Sequence, residues 1–307
     1  MPESGQKNTR VGFVGLGTMG TPISRNMAQG MVANGAGLGT PLMVWNRSAA
    51  ASATLAKAGA DVAPTVDALF ESCETIFLML ANAEAIDAVL GRGGPSFRHR
   101  IAGSRIVNLG TVAPAFSHAL ADDIAQAGGS YVEAPVSGSR APAEEGTLVG
   151  MLAGAADDIE AVKPLLASVC REIFVCGPVP GALTMKLAVN LFLITMVTGL
   201  AEAAHFANAH ALDPALFADI LAAGPMANDV SKLKATKLAT QNYERQASIT
   251  DVLMNAQLVV EAARTMGLTT PLIEASAELY AQTERLGHGG EDMVAVIKAL
   301  QKGAPRS

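Results

Sequence analysis

With 307 residues, half of them hydrophobic and only 16% charged, the chain is long enough for two domains and is unlike an intrinsically disordered protein. The 22 basic and 28 acidic residues give a net charge of -6, so the sequence has no basic footprint for nucleic acid. Cys73, Cys170 and Cys176 show no metal-ligand spacing, and the polar N-terminal segment has no targeting signal. We therefore expect reduced thiols, no bound metal and a cytoplasmic protein.

Short apolar segments alternate with helical ones over the first 180 residues. The candidate strands lie around Val11, Leu42, Val62, Ile76, Ile106, Tyr131, Val149 and Ile173. This alternation is typical of an α/β fold with a doubly wound, mostly parallel Rossmann sheet. After Gly181 the sequence changes to long helices rich in alanine and leucine. We predict a Rossmann domain over residues 1–180 and an all-helical domain over residues 181–307, joined by a helix of about 28 residues.

The first candidate strand ends in three glycines, Gly15, Gly17 and Gly20. Glycines at this spacing between a strand and a helix are typical of a site for a dinucleotide pyrophosphate. The first makes the tight turn, the second lets the backbone approach the phosphates, and the third lets the helix pack close to the sheet. A chance match or a plain tight turn is the alternative. We assign the whole turn to a cofactor site: Gly15, Leu16, Gly17, Thr18, Met19 and Gly20.

The end of the second candidate strand, Asn46-Arg47-Ser48, bears on the choice of dinucleotide. NAD-specific sites usually place an acidic residue at this point, and none is present. Arg47 can make charge-assisted contacts with a 2′-phosphate, while Asn46 and Ser48 can supply neutral hydrogen bonds. An ordinary surface arginine is the alternative. We predict a site for NADP that prefers NADPH over NADH, and we assign no role to the extra loop at residues 34–41.

Two later strand ends carry hydroxyl groups. Thr111 could bind substrate or cofactor, or it could cap a helix. Ser137, Gly138 and Ser139 offer hydroxyls and backbone N–H groups that suit a small carboxylate, although a helix cap with a turn is again the alternative. Arg140 could bind a second carboxylate or face solvent. These residues indicate a substrate site at the carboxyl ends of the strands.

Lys186 and Asn190 are four residues apart in an otherwise apolar segment, so they share one face of the predicted helix. A lysine on such a face needs a function or a partner, unless it extends to solvent from the first turn. We interpret Lys186 as a general acid that protonates a carbonyl oxygen, with an unperturbed pKa of about 10.4. Asn190 would orient the substrate. The polar residues of this helix favour a buried helix over a membrane span.

Several of these motifs together resemble the β-hydroxyacid dehydrogenases. The matching segments are residues 15–20, residues 134–138, Gly181 with Lys186 and Asn190, and residues 289–296. The resemblance covers nearly the whole chain, and it is strongest to the glyoxylate and succinic semialdehyde reductase branch. It implies a fold like that of 3-hydroxyisobutyrate dehydrogenase, a helical domain that dimerises and a catalytic lysine at Lys186.

Further assignments remain, and the chain departs from the family pattern at Pro180, Ala182, Leu191 and Thr250. The resemblance places Tyr243 over the substrate, although a packing role is the alternative. We assign Asp251 and, at the fourth strand end, Leu80 to the cofactor, although Asp251 could be paired only within its own helix. Thr250 stands where the family usually has a lysine, which removes a cation expected near the cofactor. The run Lys232, Lys234 and Lys237 is interpreted as a solvated helix face.

These observations predict an oxidoreductase that uses NADPH to reduce a small aldehyde acid of the glyoxylate or succinic semialdehyde type. One alternative is a 3-hydroxyisobutyrate or tartronate semialdehyde dehydrogenase. An imine reductase is another, although those enzymes generally lack the lysine, and a non-catalytic NADPH-binding module is the third. The expected partners are a carbonyl substrate that bears a carboxylate and further copies of the chain in a homodimer or homotetramer. We expect neither nucleic acid nor a membrane as a partner.

Overall fold

The N-terminal part of the chain is built on a six-stranded parallel sheet. The structure, a computed structural model, describes residues 10–34 and 41–303, so nearly all of the predicted loop at 34–41 lies outside the described residues. The strands are β1 Val11–Val14, β2 Met43–Trp45, β3 Asp61–Val62, β4 Thr75–Leu78, β5 Arg105–Asn108 and β6 Ser130–Glu133. Their order is β3-β2-β1-β4-β5-β6, which is that of a Rossmann fold, and the predicted doubly wound sheet is confirmed.

Helices connect the strands and cover both faces of this sheet. They are α1 Gly20–Asn34, α2 Ala49–Ala56, α3 Val66–Ser72, α4 Ala83–Leu90, α5 Phe97–Ile101 and α6 Pro114–Gln126. Because successive strand residues point to opposite faces, the apolar strands supply two cores. Phe13 and Val107 belong to the core that includes Met27 of α1, whereas Val14 and Ile106 belong to the core on the other face. The parallel strands therefore end at one common edge of a sheet that is apolar on both faces.

A second, smaller sheet follows β6. It consists of β7 Val136–Ser137, β8 Leu148–Leu152 and β9 Cys170–Val175, with α7 Arg140–Glu145 and α8 Ala156–Leu166 between them in the chain. Strand β7 is antiparallel to β8, and β9 is parallel to it. Glu133 and Ala153 exchange backbone hydrogen bonds of 2.9 and 3.0 Å and so link β6 to the segment after β8. The strands predicted around Val149 and Ile173 thus exist, but they belong to this second sheet.

The C-terminal unit is helical, as expected. It contains the greater part of α9 Gly181–Ala209, followed by α10 Pro214–Ala223, α11 Asp229–Ala239, α12 Ile249–Thr265, α13 Pro271–Thr283 and α14 Ile297–Gly303, with a π-helical turn at Glu284–His288 and a 3₁₀ turn at Met293–Val296. The chain divides into two compact units after Lys186. The division thus falls inside α9, whereas the sequence places the domain boundary where this helix begins.

Helix α9 is long and apolar. Among the described residues it is the single helix whose length and composition would allow it to span a membrane, and 39% of its most apolar window is buried in the protein. Leu187, Ile194 and Val197 pack into the core of the C-terminal unit. Phe192 and Phe206 are exposed on the same helix. The helix predicted as buried therefore has one buried and one exposed apolar face.

Two of the three lysines assigned to a solvated face of α11 are buried. Lys234 donates hydrogen bonds of 2.8 and 2.9 Å to the carboxylate of Asp292, which is fully buried. Lys237 donates one of 2.8 Å to the backbone carbonyl of Glu244. Of the three, only Lys232 is exposed. The predicted solvated face was wrong because residues 234 and 237 share one side of α11, and this side packs into the unit where both ammonium groups find acceptors.

Candidate active site

The turn between β1 and α1 leaves room for a phosphate group. Gly15 has a φ of 98°, and a Cβ at this position would overlap the carbonyl oxygen of Met79. A Cβ on Gly20 would overlap the carbonyl oxygen of Gly15, so α1 begins in close contact with the strand end. Gly17, by contrast, is exposed, and no atom lies within 4 Å of its Cβ position. The open space beside the first amides of α1 fits a dinucleotide pyrophosphate.

The other residues of the turn fix its place in the fold. The N–H of buried Leu16 donates a hydrogen bond of 3.0 Å to the side-chain oxygen of Asn46. The side-chain amide of Asn46 in turn donates one of 3.1 Å to the carbonyl of Ser48. Met19 packs against the core, while Thr18 is exposed. The Asn46 side chain therefore ties the end of β2 to the glycine turn.

The neighbouring strand ends extend this edge of the sheet. Arg47 and Ser48 follow β2, and both are exposed. Leu80 follows β4 and is half-buried. Its side chain lies 3.0 Å from the Cβ position of Gly15, and its carbonyl oxygen lies 3.0 Å from that of Gly110. Leu80 thus stands between the glycine turn and the end of β5.

The two predicted hydroxyl sites differ in their relation to the helices that follow them. Helix α6 begins after Ala113, so Thr111 lies too early in the chain to be its cap, and the capping alternative for Thr111 is wrong. Ser139 stands at the N-cap position of α7, where its carbonyl accepts a hydrogen bond of 3.1 Å from the N–H of Ala143, but its side chain makes no capping hydrogen bond. A helix cap with a turn therefore describes the backbone at Ser139, and substrate binding by its hydroxyl stays a prediction. Ser137, on β7, and Ser139 are half-buried, and Gly138 between them is exposed.

Lys186 lies near the start of α9 and is only 7% exposed. Burial lowers the pKa of its amine from 10.5 to about 8, because removal from water disfavours the charged form. The expectation of an unperturbed pKa was wrong, as was the alternative of a lysine extended into solvent. With a pKa of about 8 the amine is about 90% protonated at pH 7. It can therefore donate a proton at neutral pH and accept one at slightly alkaline pH.

A buried carboxylate that the sequence reasoning missed holds the start of α9. Oε2 of Glu133 accepts hydrogen bonds of 3.0 Å from the backbone N–H groups of both Ala182 and Leu183. Its Oε1 accepts one of 2.6 Å from the hydroxyl of Ser117. Burial raises the pKa of Glu133, although these hydrogen bonds act in the opposite direction. The available signal was an acid at the end of an apolar strand, where a buried carboxylate needs several donors.

Asn190 and Asp251, in the C-terminal unit, are both held by local hydrogen bonds. Asn190 donates one of 3.0 Å to the side-chain oxygen of Asn255, whose amide donates one of 2.7 Å to the carbonyl of Asp251. Asn255 therefore fixes the predicted substrate residue, and the sequence analysis did not identify it. The carboxylate of Asp251 accepts a hydrogen bond of 2.6 Å from Ser248, the cap of α12. Asp251 is thus paired locally, at the start of its own helix, as the alternative interpretation expects. A cofactor role for Asp251 stays a prediction.

Tyr243 packs beneath a cation. The ammonium of Lys298 lies 4.2 Å from the centroid of its ring and donates a hydrogen bond of 2.5 Å to Glu291. Thr250, which replaces the usual family lysine, donates a hydrogen bond of 2.5 Å to Glu284. The packing alternative for Tyr243 thus has a physical basis, while its contact with substrate stays a prediction.

The last residues singled out in the sequence are Arg140 and the three cysteines, and the last question is whether a metal site exists. Arg140 is exposed and donates a hydrogen bond of 2.8 Å from Nε to Glu144, one turn further along α7. Cys73, Cys170 and Cys176 form no disulfide bonds with one another. Within residues 10–34 and 41–303, no group of three or more histidine, cysteine or acidic side chains is arranged to hold a metal ion.

Comparison with known families accounts for both parts of the chain. Residues 10–177 match the NAD binding domain of 6-phosphogluconate dehydrogenase, and residues 181–300 match the family described as "NAD-binding of NADP-dependent 3-hydroxyisobutyrate dehydrogenase". The chain belongs to the β-hydroxyacid dehydrogenase family. It is therefore an NAD(P)-dependent oxidoreductase that acts on CH–OH groups. The predicted nicotinamide cofactor is confirmed at this level.

Individual members of the β-hydroxyacid dehydrogenase family match along most of the chain. The chain is 30% identical over 297 residues to glyoxylate/succinic semialdehyde reductase 2, chloroplastic, of Arabidopsis thaliana. The matched residues cover 96% of this chain and 80% of that protein. The chain is also 30% identical over 268 residues to cytokine-like nuclear factor N-PAC of Aedes aegypti, covering 87% of this chain and 48% of that protein. A crystal structure of 3-hydroxyisobutyrate dehydrogenase from Salmonella typhimurium has the same fold, with a TM-score of 0.83, 22% identity and coverage of 95% and 99%.

Proposed function

We propose that this β-hydroxyacid dehydrogenase is an NADPH-dependent reductase of small aldehyde acids, of the glyoxylate or succinic semialdehyde type, with Lys186 as the general acid. The observation that carries the proposal is the buried amine of Lys186, which burial leaves mostly protonated at neutral pH with a pKa of about 8. The Arabidopsis relative, named for glyoxylate and succinic semialdehyde, supports the substrate class. The bound nicotinamide supplies the hydride.

Lys186 controls the proton in the proposed reaction. Reduction of an aldehyde adds a hydride to the carbonyl carbon and a proton to the oxygen, and Nζ of Lys186 donates that proton. Loss of the proton leaves a neutral amine, which burial makes less unfavourable than it would be in water. Solvent then reprotonates the amine. Oxidation of the alcohol requires the neutral amine as the starting form, so its rate should rise with pH through about 8.

The proposed substrate site draws on hydroxyl and amide groups. The hydroxyls of Ser137 and Ser139 and the backbone at Gly138 would hold the carboxylate, because hydroxyls and free N–H groups at a strand end suit a small anion. Asn190 lies one helical turn from Lys186 on α9 and would orient the carbonyl. Its amide is already fixed by Asn255, so little side-chain entropy is lost on binding. Thr111 and Tyr243 complete the proposed set.

The cofactor preference is supported by the end of β2. The exposed guanidinium of Arg47 would bind the 2′-phosphate of NADPH, because that segment has no carboxylate to repel it. Asn46 and Ser48 would contribute neutral hydrogen bonds from the same edge. The glycine turn would hold the pyrophosphate, with Leu80 beside it and Asp251 contributing from α12.

We also propose that the protein is a cytoplasmic homodimer or homotetramer. The oligomer is supported by large apolar side chains exposed on the C-terminal unit, among them Phe192 and Phe206 of α9 and Leu216 and Ile220 of α10. These four side chains are 57% to 67% exposed. Burial of so many large apolar groups between subunits would remove them from water.

A non-catalytic NADPH-binding module is the second candidate. It is favoured by the N-PAC relative, whose name describes a nuclear factor rather than an enzyme of small molecules. The two candidates differ in one measurable respect, since the module would bind NADPH without turning over any aldehyde or hydroxy acid.

Steady-state assays with glyoxylate, succinic semialdehyde, tartronate semialdehyde, 3-hydroxyisobutyrate and a cyclic imine, each with both nicotinamides, test the proposal. We expect turnover of one of the first two with NADPH, and a loss of at least about a hundredfold in kcat in Lys186→Ala with NADPH still bound. NADPH binding without turnover would favour the module, and turnover of the imine alone would favour an imine reductase. Near-normal kcat in Lys186→Ala would remove the lysine from the mechanism.

A further inference from the structure

The first turn of α9 lacks a cap from its own sequence. The helix begins at Gly181, directly after Pro180, which has no side-chain oxygen to accept a hydrogen bond. The N–H groups of Ala182 and Leu183 are the second and third of the helix, and these are the ones that an ordinary capping side chain satisfies. Both donate instead to one oxygen of Glu133. A residue on the main sheet therefore serves as the cap of the helix that carries Lys186.

Glu133 is itself held firmly. Its backbone pairs with Asn108 of β5 on one side and exchanges two hydrogen bonds with Ala153 on the other. The second carboxylate oxygen is engaged by Ser117, whose hydroxyl also lies 2.9 Å from the hydroxyl of Tyr131. The carboxylate is thus held in place by the sheet and is not a mobile surface group. The first turn of α9, which is bonded to this carboxylate, is therefore held in place as well.

The held turn lies directly before the lysine. Leu183 and Lys186 are three residues apart, so they lie on neighbouring turns of the same side of α9. The backbone of Gly181 packs closely against the carbonyl of Cys176, because a Cβ on Gly181 would overlap that oxygen. The start of the helix therefore has little freedom to slide. A shift of the first turn would therefore move the amine of Lys186 relative to the strand ends that carry Ser137 and Gly15.

A purely stabilising role explains the arrangement less well. A surface serine or aspartate before the helix would supply the same capping bonds without placing a carboxylate in a fully buried position. We propose that Glu133 is a positioning residue, whose carboxylate caps α9 from the end of β6 and so sets the location of the Lys186 amine for proton transfer. The inference rests on the proposed function of Lys186.

The length of the side chain provides the test. Glu133→Asp keeps the charge but is one bond, about 1.5 Å, shorter, so it cannot reach the helix without moving it. A misplacement of about 1 Å costs up to about a hundredfold in rate, so we expect kcat to fall at least about tenfold with little change in KM. Glu133→Gln keeps the length and an acceptor oxygen and should stay within about threefold of wild type. Glu172→Asp is the matched control, because it makes the same substitution at an exposed glutamate of β9 and should leave kcat unchanged.

A double-mutant cycle separates positioning from general weakening of the fold. If Glu133 acts through Lys186, Glu133→Asp should lower kcat no further in a Lys186→Ala background. A loss that persists in that background would overturn the proposal, as would wild-type kcat in Glu133→Asp or an equal loss in Glu133→Gln. Should Glu133→Asp fail to fold, Glu133→Met replaces it in the cycle, because methionine fills a similar volume while its thioether is only a weak acceptor for the two N–H groups.

A readout without turnover distinguishes this proposal from the proposed function. The rate at which an acylating reagent modifies the Lys186 amine is measured against pH in apo wild type, Glu133→Asp and Glu133→Gln. We expect the profile to change in the aspartate variant and to be retained in the glutamine variant. Absence of turnover in wild type combined with that pattern would reject the function while keeping the positioning role. Three identical profiles would overturn the positioning role itself.

Discussion

Replacement of Lys186 by methionine should make the protein more stable while removing its activity. Lys186 is 7% exposed, and burial lowers the pKa of its amine from 10.5 to about 8. One pKa unit corresponds to about 1.4 kcal/mol, so the native state bears a penalty of about 3 kcal/mol at pH 7 for keeping this amine charged. Methionine fits a similar volume without a charge, so Lys186→Met should recover most of that free energy of unfolding.

The sign of the effect gives it a distinct pH dependence. The unfolded chain keeps the Lys186 proton up to a pH of about 10.5, whereas the native state releases it near 8. Between these values the unfolded state binds more protons, so the stability of wild type rises with pH across this window. Below pH 8 the penalty is constant. The difference between Lys186→Met and wild type should therefore be largest at pH 7 and small near pH 10.

Urea denaturation of the apo proteins at pH 7 and pH 10, followed by circular dichroism, measures this difference. Lys232→Met is the matched control, because Lys232 is exposed on α11 and its loss should change stability by no more than about 0.5 kcal/mol. A Lys186→Met variant that is no more stable than wild type at pH 7 would refute a charge penalty at Lys186. A stability gain of the same size at both pH values would refute it as well, because it would then arise from packing rather than from the charge.

Three further substitutions test the cofactor site and the buried ion pair. Arg47→Ala should raise the Kd for NADPH at least about tenfold, because a charge-assisted contact is lost, and should leave the Kd for NADH unchanged. Equal effects on the two Kd values would contradict the NADPH preference. Gly17→Val should abolish nucleotide binding in calorimetry without lowering Tm, because its Cβ faces open space, and retained binding would exclude the turn as the pyrophosphate site. Lys234→Met leaves the buried carboxylate of Asp292 unpaired, so urea denaturation should show a loss of about 3 to 5 kcal/mol, and a loss below about 1 would show that the pair contributes little.

The features that the sequence predicts well have local causes. The glycine turn depends on residues 15, 17 and 20, which are close in the chain and follow an apolar strand. The alternation of strands and helices then leaves few topologies, and the observed strand order is one of them. The pairing of Lys186 and Asn190 on one helix face follows in the same way from a spacing of four residues.

The features that the sequence misses depend on contacts between distant segments. The burial of Lys234 depends on an ion pair with Asp292, which lies 58 residues further along the chain. Glu133 caps a helix whose first bonded N–H group is 49 residues away. The pKa of Lys186 depends on burial that only the folded chain creates. The two residues of β7 are likewise too short a strand for any periodicity to show, so the second sheet could not be separated from the first.

If the amine of Lys186 exchanges a proton with the substrate oxygen, the rate of alcohol oxidation must depend on pH through the titration of this amine. The measurement is kcat/KM for the hydroxy acid with NADP⁺ from pH 6 to pH 10, in wild type and in Lys186→Arg, whose guanidinium stays charged throughout. We expect the wild-type value to rise with pH and to level off above an apparent pKa near 8, and Lys186→Arg to be nearly inactive with no such inflection. A pH-independent wild-type rate, or the same inflection in Lys186→Arg, would contradict proton exchange by Lys186.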